Sequence, residues 1–125
     1  MNRRTALLAA CLLALLGPFH ARGQRQTERY IPIGRSPGAS GRTTRIGTVE
    51  SVSAESRAFV LATPEGRHGV AVPEGTPIWL DRSAQKRSAL DGSFDDLKPG
   101  RRVEVRYASP ERAAGALWIK VEIMQ

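Results

Sequence analysis

From Ile46 onward the chain is a series of short apolar runs, each broken after a few residues by turn-forming side chains. The runs are IGTVESV, AFVLAT, HGVAVP, TPIWL, RRVEVRY and GALWIKVEI, and Gly, Pro, Ser, Asp and Glu separate them. Runs of this length, rich in Val and Ile and bounded by breakers, read as strands. Only Asp81 to Gly100 departs from the rhythm. The folded part is therefore expected to be all-β.

The phase of each run says which face it buries. Arg101 to Tyr107 alternates Val103, Val105 and Tyr107 against Arg102, Glu104 and Arg106. Gly115 to Met124 alternates Leu117, Ile119, Val121 and Ile123 against Trp118, Lys120, Glu122 and Met124. Such alternation marks strands with one dry and one wet face. Val121→Asp is then expected to unfold the domain, and Lys120→Asp to be nearly neutral. In the first run Val49 and Val52 are three apart, so both reach the core only if a bulge near Glu50-Ser51 resets the pleat. Arg57 to Thr63 is apolar on both sides and its facing is ambiguous. With Arg67 to Val72 these runs form an antiparallel meander, and Thr76 to Leu80 follows as a short extra strand. Asp81 to Leu90 has room for a turn or two of helix. Ser93-Phe94-Asp95-Asp96 has the spacing of a helix cap, with Leu97 as its core anchor and Pro99-Gly100 as its stop.

Three strands, an insertion and two more strands is the layout of an OB-like barrel of five to six strands with a short helical turn or loop insertion. The blocks Ile46 to Val52, Thr76-Pro77-Ile78, Phe94 to Val105 and Lys120 to Ile123 also resemble an exported bacterial domain-of-unknown-function family. The Asp-Leu-Lys-Pro-Gly-x-x-Val-x-Val block, Asp96 to Val105, is the most specific part. The resemblance covers Ile46 to Ile123 and implies an OB-like fold and an exported protein. It brings no catalytic residues.

The first 23 residues have the form of a cleaved signal peptide. Asn2-Arg3-Arg4 is a positive start, and Ala6 to Leu16 is an apolar run shorter than the roughly 20 residues of a bilayer-spanning helix. Ala21-Arg22-Gly23 supplies the small side chains of a cleavage site, which starts the mature chain near Gln24 and makes it periplasmic or secreted. Leu8-Ala9-Ala10-Cys11 also matches a lipoprotein pattern. The apolar residues Leu12 to Leu16 after the cysteine argue against a chain that begins there. Cleavage near Gln24 removes the one cysteine and with it any disulfide or thiolate chemistry.

Residues 24–45 read as a flexible basic linker, with Gly34, Pro37, Gly38 and Gly41 among arginines and only Tyr30, Ile31 and Ile33 as bulky apolar groups. The domain proper is 46–125. Once the leader and linker arginines are set aside, 11 of the 19 basic residues face 11 of the 12 acidic ones. A neutral domain weighs against nucleic acid as partner, since phosphate contacts need a positive face.

Candidate chemistry is sparse. The mature chain has His68 and Met124 far apart, against the several converging N or S ligands that a soft metal needs. Asp91, Ser93 and Asp95 sit at alternating positions, but Asp96 and Arg102 stand where a calcium loop needs glycine and glutamate. No nucleophile has a base at a recognisable spacing, and His68 has no orienting partner. The remaining pair is Trp79 and Trp118, each in the phase opposite its inward neighbours. Outward tryptophans form a stacking platform for a ligand, unless Asp81 to Leu90 or the N-terminal tail covers them, which is the arrangement expected here. The function expected from sequence is a non-enzymatic exported OB-like module without cofactor, taking a protein or envelope ligand. The alternatives are a metal-ion carrier or a single-stranded nucleic-acid binder.

Overall fold

A computed structural model describes residues 27–37, 42–111 and 115–124, so the leader read over 1–23 lies outside the described residues. Among the described residues seven strands form one sheet: β1 (Thr44–Ser53), β2 (Ala58–Thr63), β3 (Gly66–Ala71), β4 (Ile78–Asp81), β5 (Leu90–Asp91), β6 (Arg102–Tyr107) and β7 (Ala116–Glu122). Their order across the sheet is β3-β2-β1-β6-β7-β4-β5. All neighbours are antiparallel except β4 and β7, which run parallel.

The first three strands are the expected meander. The register between β1 and β2 slips between Val49 and Ser51, where the valine spacing called for a bulge. The slip lets Val49 be buried and Val52 pack against the same core. Phe59 and Leu61 give β2 its inward face. Val103, Val105 and Tyr107 on β6 and Ala116, Ile119 and Val121 on β7 are buried with them. Leu117, expected inward, is half-buried outside the cluster because the β6–β7 register shifts between Arg106 and Tyr107. Val70 of β3 and Ile78 of β4 belong to that one cluster although they stand far apart in the ladder. The sheet therefore curls around its core.

It does not close. The OB-like barrel expected from the strand count, and implied by the resemblance, is corrected to an open seven-stranded sheet whose edges are β3 and β5. The chemistry of Val72 to Pro77 accounts for this. The Val72 N–H still bonds the Arg57 carbonyl at 2.9 Å, but Pro73 and Pro77 have no N–H to offer a ladder. Thr76 N–H turns back to the Pro73 carbonyl at 3.1 Å, and Gly75 takes a φ of +85°. The extra strand at Thr76 to Leu80 thus starts afresh as β4 instead of carrying β3 around a bend.

The insertion is a 3-10 turn at Ser83–Gln85, the two-residue β5 and a second 3-10 turn at Phe94–Asp96. The Asp96 carboxylate accepts the Ser93 N–H at 2.8 Å, as the cap spacing predicts, and Leu97 is buried. Leu90-Asp91 is too short to announce a strand in sequence.

Candidate functional site

One cross-strand row on the face away from the core runs Ile46, Glu104, Lys120, Trp79, Asp91 over β1, β6, β7, β4 and β5. Alternation alone makes this face wet, yet Glu104 is 0% and Lys120 1% exposed. Asp81, Trp79 and Trp118 are buried as well. Lys120 is therefore a buried charge, and the expectation that Lys120→Asp is nearly neutral is overturned.

What covers the face is the stretch read as a flexible linker. Its described part, residues 27–37, lies across the strands as a strap. Tyr30 N–H bonds the Thr27 carbonyl at 3.2 Å and Ile31 N–H the Glu28 carbonyl at 3.1 Å, which makes a first turn. A second turn, Pro32 to Arg35, is closed by the Arg35 N–H on the Pro32 carbonyl at 3.1 Å. Gly34 at its third position has a φ of +85°, the signature of a type II turn. Ile33, the residue before it, is 7% exposed. Low apolar content did not prevent ordering, because polar contacts to buried charges hold the strap.

Those contacts go mainly to the main chain. Lys120 Nζ donates to the Ile31 carbonyl and to Ser36 Oγ, each at 2.8 Å. Ile33 N–H donates to Asp81 Oδ2 at 2.9 Å, and Gly34 N–H to Glu104 Oε1 at 3.0 Å. Glu28 Oε2 stands 3.7 Å from Lys120 Nζ, and Arg29 pairs with Asp91 at 3.2 Å. Hydrogen bonds to ionised groups are about twice as strong as neutral ones, and more so away from water. Glu104 Oε2 is buried without a hydrogen bond, so this carboxylate depends on Lys120, its cross-strand neighbour, for compensation.

The electrostatics follow the geometry. Burial lowers the Lys120 pKa below the usual lysine value, and the charges of Glu104, Glu28 and Asp81 offset only part of that. Burial acts to raise the Asp81 pKa, but its hydrogen bonds from Ser83 and Ile33 and the Lys120 charge outweigh it and hold the carboxyl below its ordinary value. Ser83 N–H donates to Asp81 Oδ1 at 2.8 Å, so both carboxylate oxygens are used.

Trp79 and Trp118 are brought together, with ring centroids 5.5 Å apart and planes tilted by 37°. They are 5% and 3% exposed, which is the covered arrangement expected for them, so neither offers an open platform in this conformation. The Lys120 ammonium lies 4.6 Å from the Trp118 ring centroid, within cation–π range. The pair of tryptophans on a nominally wet face was a sequence signal that something lies over it.

The other candidates are not assembled. His68 Nε2 is 3.0 Å from Thr63 Oγ1, Met124 is exposed, and among the described residues no group of three His, Cys, Asp or Glu side chains is placed to hold a metal. A shallow groove at Gly100, Arg101, Arg102, Glu122, Ile123 and Met124 has its arginines engaged by Asp96 and Glu122. No helix among the described residues is long and apolar enough to cross a membrane. No protein-family model, curated protein or solved structure matches the chain. The resemblance drawn from the Asp96 to Val105 block thus has no family match behind it and falls with the closed barrel it implied.

Proposed function

We propose that this chain is an exported, non-catalytic protein-interaction module that holds a polypeptide segment across the outer face of an open sheet. The observation that carries the reading is the use of three buried charged side chains, Lys120, Asp81 and Glu104, on the backbone of Ile31 to Gly34. Burying charge is costly unless partners replace the lost water. Here the replacement comes from groups that every polypeptide has. In this arrangement the chain's own strap is the occupant.

The test is a full-length Ile33→Asp variant followed by tryptophan emission. Loss of the apolar anchor is expected to free the strap, so that Trp79 and Trp118 become accessible to a soluble quencher while the sheet's circular dichroism persists. A synthetic peptide of residues 27–37 added to this variant should restore protection in a saturable way. Loss of the sheet signal together with the strap would make the strap a part of the core and overturn the reading. So would a folded variant that the peptide does not re-protect.

A further inference from the structure

We infer that this face selects its ligand by backbone shape: it takes a segment with a type II turn, an apolar residue at the turn's second position and glycine at its third. The inference rests on the reading of the face as a peptide site and names the class of segment that site accepts.

The turn is what presents two successive N–H groups to two carboxylates. Ile33 N–H reaches Asp81 and Gly34 N–H reaches Glu104, while the Arg35 N–H is turned inward to close the loop on Pro32. A continuous strand sends neighbouring N–H groups to opposite sides, so it cannot satisfy both carboxylates at once. Pro32 fits the first turn position because the site asks no N–H of it. The site takes the carbonyl of the preceding Ile31 instead. Ser36 adds a hydroxyl to Lys120 two residues past the glycine.

Glycine is required for conformation and not for space. A Cβ on Gly34 would meet Ile46 Cδ1 at 3.6 Å and Arg102 Nη2 at 3.9 Å, both ordinary contacts. The obstacle is the φ of +85°, which L-residues other than Asn and Asp rarely adopt. A space-limited site would rank substitutions by size, with alanine ahead of asparagine. A φ-limited site ranks asparagine level with or ahead of alanine, and valine last.

The experiment uses the full chain with Gly38 to Gly41 replaced by a protease site, folded, cut, and then exposed to labelled peptides of residues 27–37. The unmodified peptide is expected to exchange into the face. The Gly34→Val peptide should bind roughly tenfold more weakly or worse, with Gly34→Asn at least as tight as Gly34→Ala. N-methylation of Gly34, which removes the donor to Glu104, should cost about tenfold or more, as expected for a hydrogen bond to a buried charge. Equal affinity across the series, or alanine clearly ahead of asparagine, would overturn selection by turn shape while leaving the peptide site standing. Failure of the unmodified peptide to enter the cut protein would remove the site itself.

Discussion

An ammonium taken out of water is stable only where carbonyls and carboxylates replace its hydration, and Lys120 has both. Removing one partner of such a cluster leaves the rest uncompensated, at a cost of about 3–5 kcal/mol. Lys120→Met should therefore destabilise the domain by that order in urea unfolding, since Glu104 would stay buried without its cation. Val121→Asp, on the opposite phase of the same strand, should be at least as damaging, because it places a carboxylate among Ile119, Val105 and Leu61 in the core. The pH dependence has a definite sign for each group. Asp81 titrates lower in the folded chain than in the unfolded one, so its contribution is complete above the unfolded value and is lost as pH falls through the folded one. The stability gap between wild type and Asp81→Asn should accordingly close in acid, below about pH 4. Lys120 is also lowered, so the unfolded chain binds more protons between its folded pKa and 10.5. Wild type should gain stability relative to Lys120→Met as pH rises through that window. A gap that widened in acid, or narrowed in alkali, would mean that these groups are not coupled to folding as drawn.

At the scale of elements, period and breakers were enough to place most strands but not to decide how they join. β6 and the second half of β7 were legible because valines and isoleucines keep strict alternation against charges. The irregularity beside Arg106 and Tyr107 that turns Ala116 inward in place of Leu117 left no mark in that alternation. The β1 bulge was legible because two valines three apart admit one repair. Closure was not, because it depends on whether a ladder survives Pro73 and Pro77, and a strand count does not register a missing N–H. The strap was missed for a related reason. Apolar content predicts order through burial of side chains, whereas Ile31, Ile33 and Gly34 are held largely through their main chain. A Pro-Ile-Gly turn beside two outward tryptophans was the available hint. One glycine shows how close the elements lie. A Cβ on Gly47 would stand 2.3 Å from the Ala62 carbonyl oxygen, where β1 passes against β2. Gly47→Ala should cost about 1–3 kcal/mol, as overpacking against backbone does. Gly69 on edge strand β3 has open space around the same position, and Gly69→Ala should stay within about 0.5 kcal/mol of wild type. Equal melting temperatures for the two variants would contradict the close approach.

Across the whole molecule the curled sheet and the strap are joined by different physics, which predicts that they open separately. The sheet is secured by one continuous apolar cluster, from Val49 on β1 to Val121 on β7. The strap is secured by hydrogen bonds to three charged groups and by Ile33. If the leader is removed near Gln24, the mature chain starts only a few residues before this strap. Intact-mass measurement of exported protein should then find that start without lipid, and a lipidated species beginning at Cys11 would move it. Opening of the strap uncovers Ile33 and the two tryptophans but leaves the core cluster closed, so it exposes less apolar surface than global unfolding and lies below it in energy. Hydrogen exchange should therefore show the Ile33 and Gly34 amides protected, yet exchanging well before the amides of β6 and β7. Raising urea should shift the β6 and β7 amides strongly and the strap amides weakly, because sensitivity to denaturant scales with surface exposed. Added peptide of residues 27–37 should leave the sheet amides unchanged and compete only at the strap. If Ile33 and Gly34 instead exchange at the rate of global unfolding and with the same urea dependence, strap and sheet form one cooperative unit. The face would then have no independent opening through which a partner segment could enter.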